Sequence, residues 1–257
     1  MIVPADAIVE LKGIGKTYEA RVEALRDINH TFPAGKLSTL LGPSGCGKTT
    51  LLKIIGGLIA PTAGEVWVKG KRVDGPGTER AFVFQDFALL PWATVLRNVA
   101  FGLELRGVPQ EQRLEIARKF IGEVGLAGFE ASYPHQLSGG MRQRVGLARA
   151  LTVDADIILM DEPFSSVDEQ TRRKFQEDLL DLLRHRQKTV IFVTHSIEEA
   201  AYLSDRIVLL SARPGTVSQI IHPNVDRGSK TSDEIRRDKN YLDAVDEIWQ
   251  VLKKYLA

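Results

Sequence analysis

Gly42-Pro43-Ser44-Gly45-Cys46-Gly47-Lys48-Thr49-Thr50 is the stretch from which the rest of this chain is read. It fits G-x-x-x-x-G-K-[ST], a loop that cradles phosphate with backbone N–H groups. Before it, Leu37-Ser38-Thr39-Leu40-Leu41 is an apolar run of strand length; after it, Leu51-Leu52-Lys53-Ile54-Ile55 continues as a helix. Strand, glycine loop, helix is the context the motif needs. Gly42, Gly45 and Gly47 permit the close approach that lets several amides reach one anion. The following helix turns its unpaired N–H groups toward the same anion. Lys48 adds a cation for the terminal phosphates, and Thr49 a hydroxyl for Mg²⁺. The competing reading is a glycine turn without a ligand, and the flanks argue against it. Gly13-Ile14-Gly15-Lys16-Thr17 imitates the end of such a loop, but Glu10 stands where its first glycine is required. That segment is read as the end of a first strand.

The 257 residues suffice for one large domain, or a domain with a subdomain. Apolar residues make up 44% and charged residues 26%, so a packed core is expected. Lys and Arg total 34 against 33 Asp and Glu, and this balance gives no support for nucleic-acid binding. Cys46 is the one cysteine. No disulfide can form within the chain, which fits a reducing compartment. Met1-Ile2-Val3-Pro4-Ala5-Asp6 lacks the basic start and apolar core of a signal peptide. No apolar run approaches the roughly 18 residues of a membrane span. Work at a membrane would therefore be done from its surface, through a partner.

Strands are expected at residues 7–12 and 24–28, with a turn over 31–36 feeding the loop strand. Further strands follow at 66–68 and 81–84. Thr94 is placed to cap a helix that ends near Gly107. Leu114, Ala117, Phe120, Ile121 and Val124 share one face of the next helix. Alternation returns with strands at 156–160, 189–193 and 206–210, separated by helices over 168–183 and 197–203. Strands alternating with helices imply an α/β core, a mixed sheet around the phosphate loop. A polar loop over 224–230 leads to a last helix with its apolar face through Leu242, Val245, Ile248, Trp249 and Leu252.

A nucleotide hydrolase needs a second, acidic element. Ile157-Ile158-Leu159-Met160-Asp161-Glu162 supplies it, carrying Asp161 to the C-terminal end of a buried strand, where ligands of open α/β sheets collect. Asp161 suits Mg²⁺, and Glu162 suits a general base acting on water. Leu137-Ser138-Gly139-Gly140-Met141-Arg142-Gln143-Arg144 opens another helix. Ser138 is a natural N-cap, and Gly139 and Gly140 bare the backbone amides, making a second anion-binding helix start. Two phosphate cradles in one chain suggest a nucleotide shared head to tail between two copies.

With these motifs in this order, the sequence resembles the ATP-binding subunits of ABC (ATP-binding cassette) transporters over nearly its whole length. Residues 137–140 match that family's Leu-Ser-Gly-Gly signature. The resemblance implies ATP and Mg²⁺ as ligands and a P-loop NTPase core with an antiparallel β subdomain and an inserted α-helical subdomain. The ATPase domain would span 1–223 with the insert at about 87–150, and 224–257 would be a C-terminal loop and amphipathic helix. By the same resemblance, Tyr18 stacks on adenine, Gln85 contacts Mg²⁺ and links to the insert, and His195 contacts the γ-phosphate. Ser165-Ser166-Val167-Asp168 would communicate across the dimer, and residues 42–50 with Ser138, Gly139 and Gly140 would bind the nucleotide. Taken singly, Tyr18, Gln85 and His195 are as well read as packing or strand-end residues; order and placement promote them.

Two positions depart from the family: Met141 replaces the usual glutamine and Val167 the usual leucine. Residues 83–92, 141–145 and 210–215 are similar to the nitrate, sulfonate and taurine importer branch, a pattern shared with other organic-anion and pyrimidine-precursor importers. The implied partners are transmembrane permease subunits, a second copy of this chain and, indirectly, a solute-binding protein, with no nucleic acid. The implied location is the cytoplasmic side of the plasma membrane. Phe87, Leu89, Leu90, Pro91 and Trp92 form an expected exposed apolar set for a permease helix. The alternative is a soluble ABC ATPase serving as an assembly or regulatory module. A P-loop kinase would leave residues 137–140 unexplained.

Overall fold

A computed structural model describes residues 7–165, 167–184, 186–228 and 230–255. In chain order its elements are β1 (Ala7–Tyr18), β2 (Val22–Pro33), β3 (Leu37–Leu41), α1 (Lys48–Ile55), β4 (Ala63–Val68), β5 (Lys71–Arg72) and β6 (Arg80–Val83). Then come α2 (Val95–Leu105), α3 (Gln110–Glu123), α4 (Gly139–Thr152), β7 (Ile157–Asp161), α5 (Glu169–Arg184), β8 (Thr189–Val193) and α6 (Ile197–Leu203). The last are β9 (Arg206–Leu210), β10 (Val217–Ile221), α7 (Ser232–Arg237) and α8 (Lys239–Leu252). No helix among the described residues is long and apolar enough to cross a membrane. The chain divides into two compact units, one made of the residues up to 77 and from 187 onward, the other of residues 78–186.

The first unit contains an antiparallel sheet in the order β2-β1-β4-β5. Val9, Leu11 and Ile14 of β1 and Leu25, Ile28 and Phe32 of β2 are fully buried, so one face of the long hairpin is core. β2 runs to Pro33, and the expected turn over 31–36 shrinks to residues 34–36. Thr31 and Phe32 pair with Glu10 and Val9 and so belong to the ladder. Four further strands lie in the order β10-β9-β3-β8, with β3 hydrogen-bonded in parallel to both β8 and β9. All five positions of β3 and of β8 are buried. Continuous apolar runs suit parallel strands covered on both faces.

β10 pairs antiparallel with β9, and α7 precedes α8; neither was expected. β10 is half-exposed along most of its length, and α7 is six residues long, so neither writes a strong hydrophobic period. On α8 the buried residues are Tyr241, Ala244, Ile248, Val251 and Leu252, whereas Leu242 and Trp249 are exposed. The core face is thus turned from the expected stripe toward the 241-244-248 row, on a helix that packs against α6.

The second unit pairs β6 and β7 in parallel, Val83 opposite Met160. Around it α2, α3 and α4 pack on one another. Thr94 caps α2 as expected, its Oγ1 accepting from Arg97 N at 3.3 Å. Asn98, fully buried on α2, accepts from Leu90 N (2.7 Å) and donates to the carbonyls of Leu90, Ala93 and Thr94. These bonds fix the turn that leaves Trp92 73% exposed. Only Pro91 and Trp92 of the expected apolar set are open; Phe87, Leu89 and Leu90 are half-buried, with Arg142 of α4 against the Phe87 ring and Asn98 on the Leu90 backbone.

His30 of β2 is buried edge-on to Phe32, with ring centroids 4.7 Å apart. Burial, reinforced by the nearby charge of Arg206, holds its imidazole down to about 4. The folded state therefore keeps His30 neutral while the unfolded chain protonates below about 6.5. That stability is complete above pH 6.5 and drains away as pH falls toward 4. Between pH 7 and pH 5 the loss should be about 2 kcal/mol. Urea unfolding of the unchanged protein and of His30→Leu checks it: the difference between the two pH values should be smaller in the variant by about that amount.

Candidate functional site

In the first unit the phosphate loop joins β3 to α1. Gly47 is the residue before the helix, at φ 100°, a left-handed conformation that favours glycine. A Cβ there would lie 2.6 Å from Leu25 Cδ2 and 2.9 Å from the Ala24 carbonyl. β2 thus braces the loop from behind. A second brace was missed in the sequence. Gly215 donates its N–H to Ala24 O (2.9 Å) and accepts from Arg26 N (3.0 Å), and a Cβ on it would lie 2.1 Å from Cys46 O. The only advance signal was a Pro-Gly turn, which says nothing about which backbone lies behind it.

Lys48 is 7% exposed, and its ammonium donates to the carbonyls of Gly42 (2.8 Å) and Pro43 (2.9 Å). A buried cation held by neutral oxygens, facing a loop of backbone N–H groups, fits a polyanionic ligand. Ser44 and Gly45 are exposed, and Thr49 and Thr50 are half-buried. Cys46 is buried, and burial pushes its thiol up, so the thiolate is disfavoured despite Lys48 nearby. Tyr18, 43% exposed, meets Thr50 Oγ1 through its hydroxyl at 3.1 Å, and Lys16 lies over its ring. Tyr18 is therefore tied to the first turn of α1 with its ring accessible.

His195 belongs to the same unit. Leu40 and Val193 are partners in the parallel pair, so Gly42 and His195, each two residues on, leave neighbouring strands at one edge. His195 is exposed. Its neighbour Thr194 is buried and donates to Glu199 Oε2 (2.5 Å) while accepting from Ser196 N (3.0 Å). Glu199 N in turn donates to Ser196 Oγ, the cap of α6. This closed set fixes the backbone on both sides of His195. Glu199 was not foreseen, because a glutamate in a first helical turn reads as dipole complementation.

The second unit gathers the other predicted residues. Val83 pairs with Met160, so Gln85 and Glu162 leave adjacent parallel strands at the same end. Asp161 is buried at the tip of β7, and Glu162, half-buried, has φ 46°. Ser138 caps α4, its Oγ accepting from Met141 N at 3.2 Å. Its hydroxyl proton remains available to donate. Gly140 packs against Val167 and Thr171, where a Cβ would come within 3.3 Å of Thr171 Cγ2. Asp168 accepts from Thr171 N at 3.0 Å, and that bond holds its carboxyl below the usual carboxylate range. Ser166 lies outside the described residues.

Phe87 and Ala88 have φ of 60° and 45°. Two consecutive non-glycine residues in that region cost of order 1–3 kcal/mol each unless neighbours hold them. Arg149 of α4 does so: its Nη1 donates to Ala88 O (2.7 Å) and its Nη2 to Phe87 O (2.9 Å). Arg149 was also overlooked, although an arginine between Ala148 and Ala150 in an apolar stretch was a visible anomaly.

A family model described as ABC transporter matches residues 25–165. The taurine import ATP-binding protein of Escherichia coli (strain K12) is 47% identical over 222 residues, 85% of this chain and 87% of that one. The nitrate import ATP-binding protein of Synechocystis sp. is 40% identical over 250 residues, 96% of this chain and 94% of that one. Among solved structures, a dimeric ATP-binding cassette in a post-hydrolysis state bound to ADP and Pi superposes with a TM-score of 0.75 at 35% identity. It covers 83% of this chain and 98% of its own.

Gly215→Ala should weaken ATP binding by about tenfold or more, because the added Cβ must push Cys46 and the loop aside. Titration with a fluorescent ATP analogue checks this, with far-UV circular dichroism unchanged.

Proposed function

The chain belongs to the ABC transporter family as an ATP-binding cassette, and on that premise we propose that it is the ATP-hydrolysing subunit of an importer for a small anionic or zwitterionic solute. The taurine and nitrate import relatives support that solute class. The single observation behind the nucleotide reading is the buried Lys48 ammonium set among loop carbonyls at a braced helix start. On this reading residues 1–223 are the ATPase domain, with the helical insert at about 87–150, and 224–257 is a C-terminal loop and helix.

Two copies face each other head to tail. Residues 42–50 of one hold the phosphates through loop amides and Lys48, while Ser138, Gly139 and Gly140 of the other offer a hydroxyl proton and helix-start amides. Tyr18 supports the base. Thr49, Gln85 and Asp161 are the groups that would hold Mg²⁺, whose role is to neutralise phosphate charge. Glu162 accepts a proton from the attacking water, and His195 donates to the terminal phosphate oxygens. Asp168 keeps the first turn of α5 in place opposite the other copy. Charge on the terminal phosphate favours the closed pair, since both copies contribute donors to it. The Met141 departure leaves this intact because the donors are Ser138 and backbone. Pro91 and Trp92, open beside the Asn98-bound turn, are the contact offered to a permease at the cytoplasmic face.

Glu162→Gln should lower ATP turnover by about 10²–10⁴-fold while leaving ATP-bound dimers on gel filtration. Turnover at the normal rate would remove Glu162 from the base role. Lys48→Ala should weaken ATP binding by at least about tenfold; tight binding by that variant would refute the loop's role. Affinity capture from gently solubilised native membranes tests the importer reading. A polytopic permease should co-purify, whereas a soluble partner alone, with ATPase activity intact, would move the function to an assembly or regulatory module.

A further inference from the structure

We propose that Arg149, working with Arg142, is a positioning residue for hydrolysis: the two arginines of α4 hold Phe87 and Ala88 in their left-handed path and so set the placement of Gln85. The proposal rests on the ATPase reading above. Gln85 sits inside a tight turn closed by Phe87 N donating to Phe84 O (3.1 Å) and Ala88 N donating to Asp86 O (2.6 Å). Glycine would follow that path without strain, but Phe87 and Ala88 are not glycine, so the path persists only if other groups impose it.

One face of α4 imposes it. Positions 142, 146 and 149 are spaced by four and three residues and fall in one row. The Arg142 guanidinium carbon lies 5.4 Å from the centre of the Phe87 ring, while its Nη1 donates to Leu137 O at 2.6 Å. Gly146, between the two arginines, lies against Phe87 O, which is 3.7 Å from where a Cβ would be, an ordinary contact distance. Arg149 then grips two successive carbonyls with two donors of its planar fork. Burial lowers the pKa of this guanidinium, and the two charge-assisted bonds offset part of its removal from water. Arg142 therefore links the Leu137–Ser138 helix start to Phe87, and Arg149 locks the residues that follow. A helix that carries both the signature amides and this grip ties the engagement of one nucleotide-binding element to the placement of another within the same unit.

The test is steady-state ATPase kinetics of the full chain with three variants. Arg149→Met keeps reach and bulk but deletes both donors. It should lower kcat by about tenfold while KM and the affinity for ADP stay within about twofold, because the loop at 42–50 is untouched. Ala88→Gly alone should remain close to the unchanged protein. In the double variant it should restore kcat by about threefold or more, because glycine takes a positive φ without the grip. A loss of kcat caused by damage elsewhere in α4, and not by the path at residue 88, would not respond to Ala88→Gly. Should Arg149→Met fail to fold, Arg149→Lys carries the same test, since one ammonium cannot repeat the two-carbonyl fork; kcat should fall and Ala88→Gly should restore it. An unchanged kcat in the arginine variant that folds, or a loss that Ala88→Gly does not relieve, overturns the proposal. Absence of ATP turnover in the unchanged protein would instead overturn the ATPase reading on which it stands.

Discussion

A loop that must present its own amides to an anion cannot use them to hold itself in shape. That constraint governs the first unit. The amides of 42–47 are largely reserved, so the loop is held from outside. Leu25 and Ala24 of β2 press against Gly47, and Gly215 presses against Cys46. Lys48 closes the inside, binding the carbonyls of Gly42 and Pro43. The antiparallel hairpin and the turn after β9 are in this sense supports of the loop proposed to hold phosphate, although neither carries a residue assigned to bind it. Gly215 couples them, since its N–H and C=O bond to β2 while its α-carbon backs the loop.

The second unit solves a related problem with charge. Its strand ends deliver Gln85, Asp161 and Glu162 to one end of a parallel pair, but the backbone there departs from ordinary geometry at Phe87, Ala88 and Glu162. Such departures need outside support. Ser165 contributes at Glu162, with both its N–H and its hydroxyl donating to the Glu162 carbonyl. Arg149 and Arg142 contribute at Phe87 and Ala88. Asn98 does the same for the turn before Trp92 without any strain to oppose, by satisfying Leu90, Ala93 and Thr94 together. Ser165, Arg149 and Asn98 each meet backbone carbonyls, supplying donors where the chain has left regular helix and sheet.

Much of this was legible beforehand. Motifs with dense local rules were read where they stand: the glycine loop before α1, Ser138 and Thr94 as caps, the apolar strand ending in Asp161, and the α/β core implied by strands alternating with helices. These follow from short-range physics, in which spacing along the chain already gives spacing in space. The α8 stripe shows where that fails. Its sequence offers two overlapping apolar rows, and only packing on α6 selects the row of Tyr241, Ala244 and Ile248 and leaves Leu242 and Trp249 outside. The apolar set at 87–92 fails for a similar reason, since Asn98, a short way on, binds the backbone at Leu90 and α4, some sixty residues on, holds Phe87.

The sequence by itself determined which backbone segments present amides, which strand carries the carboxylates, and which family the chain resembles, because each is written in residue types at fixed short spacings. Only the tertiary structure decided what holds those segments still. Gly215 reaches Cys46 and Arg149 reaches Phe87 and Ala88 across stretches of chain whose closure no local pattern encodes. A supporting residue is defined by the distance to its partner, and that distance exists only once the chain is folded.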